Sequence, residues 1–393
     1  MRRKRSVRVL PRRLPVMKKI KVGLSISLTG IYSVQGRESF EGIRLWISDV
    51  NGEGGVFVKE YGRKIPVELI YFDDESSVEL CRTNTKKLLA ESKPDILLGP
   101  YSSSLSIASA EAAEEHGVTL WNHGGSTDEI EERGFTCLVN AITPASRYSE
   151  EIIKLVRSQD PRARKIAAFS ASDSGFSRNV ARGAGIYGRE NGFLVREFNF
   201  LSGREDFSGL LEEALRFSPD LILGMGRTHD DLALAGQMIR KKVRVNAASF
   251  IAASIKQFKD TFGRNAEGFL SSSQWESGLK ISPDAGPSPE EFVKRFKSAY
   301  GKEPDYLAAQ GYNIGLIVNK CIEDAGTLDD KALREKARGA GFKTFYGLFG
   351  TDRKGHQTGH EMVVVQWQSG GKVIVHPERY SEAPFVYPMR PAY

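Results

Sequence analysis

Residues 95–128 hold two short apolar runs, each ending in a small-residue loop, and this pattern limits the fold more than any other. The first run, Ile96-Leu97-Leu98, is stopped by Gly99 and Pro100. Ser102, Ser103 and Ser104 follow where a helix should start, and an alanine-rich stretch through Ala113 continues it. The second run, residues 118–121, leaves through Gly124-Gly125-Ser126-Thr127. The stretch therefore predicts strand, loop, helix, strand, loop. Two serine-bearing loops leave neighbouring parallel strands at their carboxyl ends, where open α/β sheets bind ligands. A helix N-terminus there offers spare N–H groups and a dipole that favours anions, and hydroxyls beside it suit a carboxylate. Serine is also a common helix cap, so residue type and fold position alone do not establish a pocket.

The rest of the chain repeats the alternation. Residues 20–27 read as the first strand, 28–36 as its loop, and 40–50 as a helix with Ile43, Trp46 and Ile47 on one face. A hairpin through Gly62, a strand over 67–71 ending in Asp73-Asp74, and a helix over 77–89 lead to Asp95. A second unit begins near residue 142. Helices are expected over 148–157, 178–190, 207–217 and 230–241, and strands over 166–169, 194–198, 220–223 and 247–251. Residues 172–176 form an exit loop. Alternation with short connections implies parallel, doubly wound sheets, here in two α/β lobes. Helices return over 289–300 and 308–325, the latter apolar enough to be buried. A hairpin within 351–375 turns at Gly370-Gly371.

The 393 residues suffice for two or three domains of ordinary size, and no apolar run approaches the length of a membrane helix. The net charge of +7 is carried by the first sixteen residues, which hold seven basic groups and no acid. Taking those seven from 56 Lys and Arg leaves 49, against 49 acids, so the body is neutral. The arm, residues 1–17, is expected to be disordered. Nothing basic and aromatic recurs to support nucleic-acid binding. The charged start lacks the apolar core of a secretory signal, because Pro11-Arg12-Arg13 interrupts it. Cys81, Cys137 and Cys321 give no disulfide framework, and Cys81 on an amphipathic helix and Cys321 in an apolar one are expected as buried thiols.

Three enzyme or cofactor motifs fail. Gly224-Met-Gly226-Arg-Thr-His229 begins a dinucleotide fingerprint but has His229 for its third glycine and no acid about 20 residues on. It reads better as a ligand-facing loop. His356 and His360 have zinc-helix spacing, yet glycine surrounds them and a turn is expected. No Gly-x-Ser-x-Gly elbow occurs. Ser103 and His123 could converge in space, but His123 reads better as ordering its loop or touching the ligand. No cofactor or metal is expected, and no catalysis.

Taken in order, residues 22–30, Asp73-Asp74, Leu98-Gly99-Pro100 through Ser104, and Gly124 through Thr127 resemble the type I solute-binding proteins of branched-chain amino acid and amide ABC importers. Gln274-Trp275, Pro304-Asp-Tyr306 and Phe345-Tyr-Gly347 fit as well. The resemblance covers about residues 18–380. It implies two lobes joined by three crossings, with 18–141 plus 273–343 as lobe 1 and 142–272 plus 344–393 as lobe 2. It implies ligand held between the lobes by hinge closure, and ABC permease subunits as partners. Ser103, Gly124 and Ser126 match the family's carboxylate contacts, Phe176 its lobe 2 aromatic, and Trp275 and Tyr306 its aromatics at the crossings. Tyr101 and Gln35 complete the expected ligand-binding set.

Two departures bear on the ligand. Amino-acid receptors of the family carry an acid near residue 250 for the ammonium, whereas Phe250-Ile-Ala-Ala-Ser254 has none. Either Asp230 or Asp231 substitutes, or the ligand lacks an ammonium, which favours amides, urea-like compounds or aromatic acids over amino acids. Ser102 stands where the family often has a lobe 1 disulfide cysteine. The resemblance implies a periplasmic receptor. The missing export signal keeps a cytoplasmic ligand sensor on the same fold as the alternative.

Overall fold

A computed structural model describes residues 19–392, so the basic arm expected at 1–17 lies outside the described residues. The first strand, β1 (Ile20–Ile26), is buried at all but one position and feeds helix α1 (Ser33–Gly52). The hairpin β2 (Val56–Val58) and β3 (Arg63–Ile65) leads to β4 (Val67–Asp73) and α2 (Val78–Lys87). Then come β5 (Ile96–Leu98), α3 (Ser103–His116), β6 (Leu120–Asn122), the single turn α4 (Glu129–Glu132) and β7 (Leu138–Asn140). Five of these strands pair in parallel in the order β4-β1-β5-β6-β7. The short apolar runs are buried because helices cover both faces of a parallel sheet.

The chain then crosses to a second sheet. It runs α5 (Glu150–Gln159), β8 (Lys165–Ala171), α6 (Gly175–Glu190), β9 (Leu194–Phe200), α7 (Ser208–Arg216), β10 (Leu221–Met225), α8 (Thr228–Arg240), β11 (Ala247–Phe250), α9 (Lys256–Phe262) and β12 (Leu270–Ser273). A second crossing returns it to the first sheet as α10 (Pro289–Tyr300), α11 (Tyr306–Ala325), α12 (Asp330–Ala337) and the hairpin β13 (Gly341–Thr344) and β14 (Gly347–Gly350). The third crossing delivers β15 (Val363–Gln368), antiparallel to β12, and β16 (Gly371–His376), antiparallel to β15, which close the second sheet. Its order is β16-β15-β12-β11-β10-β8-β9. The result is two doubly wound lobes joined by three crossings.

Each lobe has its own aromatic core. Phe292 stacks on Phe345 at 4.3 Å beside Tyr312 and Trp275 in the first, while Phe169 stacks on Phe198 at 5.0 Å in the second. The three cysteines are free and buried, as the sequence reading expected for Cys81 and Cys321.

Two helices start earlier than the sequence predicted. Gln35 and Gly36, read as loop, lie in α1, and Gly175 and Phe176 form the first turn of α6. Gly36 is there for close packing and not for a turn: a Cβ on it would lie 2.0 Å from the Ser27 carbonyl oxygen.

Candidate functional site

A cavity of about 580 Å³ lies between the lobes, walled by loops that leave the carboxyl ends of β5, β6, β8, β10 and β11. The wall of the first lobe is built from the two serine-bearing loops. They are zipped together by a bridge between Tyr101 and Gly124 and by the Ser102 amide donating to the Gly124 carbonyl at 3.3 Å. Only glycine fits at 124, because a Cβ would lie 2.4 Å from the Pro100 carbonyl oxygen. Ser102 caps α3 with φ +84° and ψ 147°, a left-handed conformation that strains a residue other than glycine. Strain of that kind persists where surrounding structure holds it, and it gathers at ligand-binding turns.

Ser103 follows on the first turn of α3. Its Oγ accepts the Thr127 amide at 3.1 Å, which leaves the hydroxyl proton free to donate into the cavity. The first amides of α3 have no intrahelical acceptor, so they add donors and a positive dipole end at the same place. Asn122 buttresses the loop from below, donating to the Gly125 carbonyl at 2.7 Å and accepting the Gly125 amide at 3.0 Å. His123 pins it to α1, with Nε2 2.7 Å from Ser39 Oγ. Burial pushes that imidazole down to about 4, so it is neutral and structural.

Aromatic side chains line the interior. Tyr32 meets Tyr101 edge-on at 6.1 Å, and Tyr148 meets Phe176 edge-on at 5.3 Å. Tyr306 and Gln310, from the start of α11, add to the wall. Burial raises the phenols of Tyr101, Tyr148 and Tyr306 above their ordinary value, so all three stay neutral. Gln274 donates to the Tyr148 hydroxyl at 3.0 Å. Gln35 also lines the cavity, and its Oε1 is buried without a partner.

The second lobe contributes the N-termini of α6 and α8 and the turn after β11. The stretch Gly226–His229 faces the cavity, as read from the sequence. Arg178 donates to the Ser172 carbonyl at 2.8 Å, and Asp173 accepts the Ser202 amide and hydroxyl at 2.9 Å each.

Six of the eight residues expected from sequence come together here: Gln35, Tyr101, Ser103, Gly124, Phe176 and Tyr306. Two are placed elsewhere. Ser126 is turned off the wall; its carbonyl accepts the Ala145 amide at 2.6 Å and its hydroxyl lies beside the Tyr148 phenol, while neighbouring Thr127 faces the cavity. Trp275 is buried in the first lobe's core, stacked edge-on against Phe292 and Phe345, with Nε1 donating to the Phe345 carbonyl at 3.2 Å. A large ring whose N–H finds a main-chain acceptor is at rest in a core. Nor do Asp230 and Asp231 reach the cavity. Asp230 binds the Gly203 amide at 2.8 Å, and Asp231 those of Gly226 at 2.8 Å and Ala252 at 3.0 Å. Sequence reasoning missed Tyr32 and Tyr148, since isolated tyrosines carry no spacing signal.

His356 and His360 sit in an irregular segment and bind different partners, and the described residues hold no cluster of His, Cys, Asp and Glu suited to a metal.

A family model described as periplasmic binding protein matches residues 19–372. The Leu/Ile/Val-binding protein homolog 7 of Brucella abortus (strain 2308) is 21% identical over 383 residues, covering 93% of each chain. Among solved structures, the leucine binding protein LivK from Thermotoga maritima MSB8 superposes with a TM-score of 0.76 at 22% identity, over 90% of this chain and 97% of that one. An ABC transporter solute binding protein from R. palustris in complex with benzoate gives 0.74 at 18% identity, over 91% and 95%.

Proposed function

Since the chain belongs to the periplasmic binding protein family, whose members are ligand-binding components of transporters and not enzymes, we propose that it is the substrate-binding receptor of an ABC importer for a small carboxylate. No helix among the described residues is long and apolar enough to cross a membrane. On this reading separate permease subunits of the importer take the ligand from it. Lobe 1 comprises residues 18–141 and 273–343, and lobe 2 residues 142–272 and 344–393. The ligand lies between them, and the lobes close on it by bending at the crossings.

One observation carries the reading: the Ser103 hydroxyl and the first amides of α3 converge, with the Gly124 turn, on one wall of an interlobe cavity. That set of donors suits an oxyanion. Tyr101, Gln35, Phe176 and Tyr306 are the remaining ligand contacts. Structural neighbours with leucine-binding and benzoate-bound descriptions span the class of ligand considered.

Isothermal titration with a panel of small carboxylates and their amides tests this. A carboxylate should bind, and its amide should bind less well. Ser103→Ala should weaken the carboxylate by roughly 10- to 150-fold, because a hydrogen bond to a charged group is worth about 1.5–3 kcal/mol. Wild-type affinity in that variant would show that Ser103 only supports the Thr127 amide.

A further inference from the structure

We infer that the cavity selects a ring-bearing carboxylate without an ammonium group, an aromatic acid in preference to an amino acid. This rests on the receptor reading above and narrows its ligand.

The first argument is charge. Three helices start at the cavity, α3, α6 and α8, of 14, 16 and 13 residues, and each presents its positive end. Arg178 and Arg227 line the wall of the second lobe, and the Arg227 charge acts on Asp173 beside it. Two acids line the cavity, Asp173 and Glu129, and each has an arginine for a neighbour. Asp173 takes the Ser202 amide and hydroxyl on one oxygen and has the Arg227 charge beside it, and Glu129 is paired through one oxygen with Arg133 at 2.6 Å. Asp230 and Asp231 are buried behind the wall, and Asp305 caps α11 through the Leu307 and Ala308 amides. An ammonium entering here would give up its hydration and compete with an arginine for either carboxylate.

The second argument is shape. The rings of Tyr32, Tyr101, Tyr148, Phe176 and Tyr306 surround the space in front of Ser103. Their edge-on pairs offer both faces and edges to a flat ring. Aromatic walls also hold quaternary ammonium groups, but three helix N-termini oppose a cation, and the two arginines of the wall offset its two carboxylates. The buried, unpartnered Gln35 Oε1 remains as an acceptor for a donor on the ring.

Matched pairs that differ only in the α-ammonium test the inference by isothermal titration: 3-phenylpropionate against phenylalanine, and 4-methylpentanoate against leucine, with glycine betaine as the cationic probe. The deaminated member of each pair should bind at least tenfold tighter, 3-phenylpropionate should exceed 4-methylpentanoate severalfold, and glycine betaine should not bind. Arg227→Glu, at an exposed position, should narrow the 3-phenylpropionate to phenylalanine ratio severalfold. Amino acids binding as tightly as their deaminated partners, the aliphatic acid exceeding the aromatic one, binding of glycine betaine, or an unchanged ratio in Arg227→Glu would each overturn the inference and leave a receptor standing. No binding by any carboxylate would overturn both.

Discussion

His123 is fully buried beneath the cavity wall, and His360 is buried at the third crossing with Nδ1 2.6 Å from Thr143 Oγ1. Burial holds both imidazoles down to about 4. A histidine depressed in this way takes its proton first in the unfolded chain, so the stability it contributes is present above about pH 6.5 and is lost as pH falls towards about 4. Asp231 and Glu131 act in the opposite sense. Burial pushes each up to about 7, so their contribution favours the fold at low pH and is lost as pH rises towards 7. The opposed pairs should leave the wild type with a shallow pH profile, and removing one histidine should unmask the rest. The cost of His123→Gln, from urea unfolding, should be about 2–3 kcal/mol smaller near pH 4.5 than near pH 7.5. An equal cost at both would mean that His123 is solvated. Legibility at this scale followed chemistry. Ser103 was readable as one of three serines at a helix start, and Gly124 only through the family resemblance. Trp275 and Ser126 were not, since sequence does not say whether a ring or hydroxyl turns to a cavity or to a core.

Helices α1 and α11 pack so closely that their glycines replace side chains with backbone contact. A Cβ on Gly42 would sit 2.0 Å from the Ala308 carbonyl oxygen, one on Gly311 2.1 Å from that of Ser39, and one on Gly315 2.0 Å from the Trp46 ring. Backbone cannot yield as a flexible side chain can, so Gly42→Ala and Gly311→Ala should each destabilise the fold by about 3 kcal/mol or more. Gly52, at the end of α1 with open space around it, is the control; Gly52→Ala should stabilise by up to about 1 kcal/mol. Similar urea midpoints for all three variants would contradict this packing. Gly42, Gly311 and Gly315 fell inside expected helices, whereas Gly36 looks like a loop signal in sequence, which is why α1 was expected to start later. The elements that escaped prediction share a cause. β7 has three residues, β12 reads Leu-Ser-Ser-Ser, and α12 is short and polar, so none carries an apolar period of its own. Tertiary contacts make them, with β12 placed between β11 and β15.

The two lobes were legible because order survives where single motifs do not: alternation up to 141, again up to 251, then helices, then a hairpin. The crossings that join them were legible only through the family resemblance, and their interlock is a tertiary fact. Gln274 of the second crossing binds the Thr143 carbonyl of the first at 3.2 Å, and His360 of the third binds the Thr143 hydroxyl. Gln357, also on the third, reaches the Ala141 carbonyl at 3.4 Å. Bundled in this way, the crossings should bend together and not slide apart. At the cavity Ile31 is 74% exposed, an apolar side chain that closure would cover. Small-angle X-ray scattering with and without saturating 3-phenylpropionate, or whichever panel carboxylate binds most tightly, reads that closure directly. The radius of gyration should fall when ligand binds, and should not fall in Ser103→Ala at the same ligand concentration. An unchanged radius in the wild type, with calorimetry showing the site filled, would contradict a receptor that closes on its ligand between two lobes.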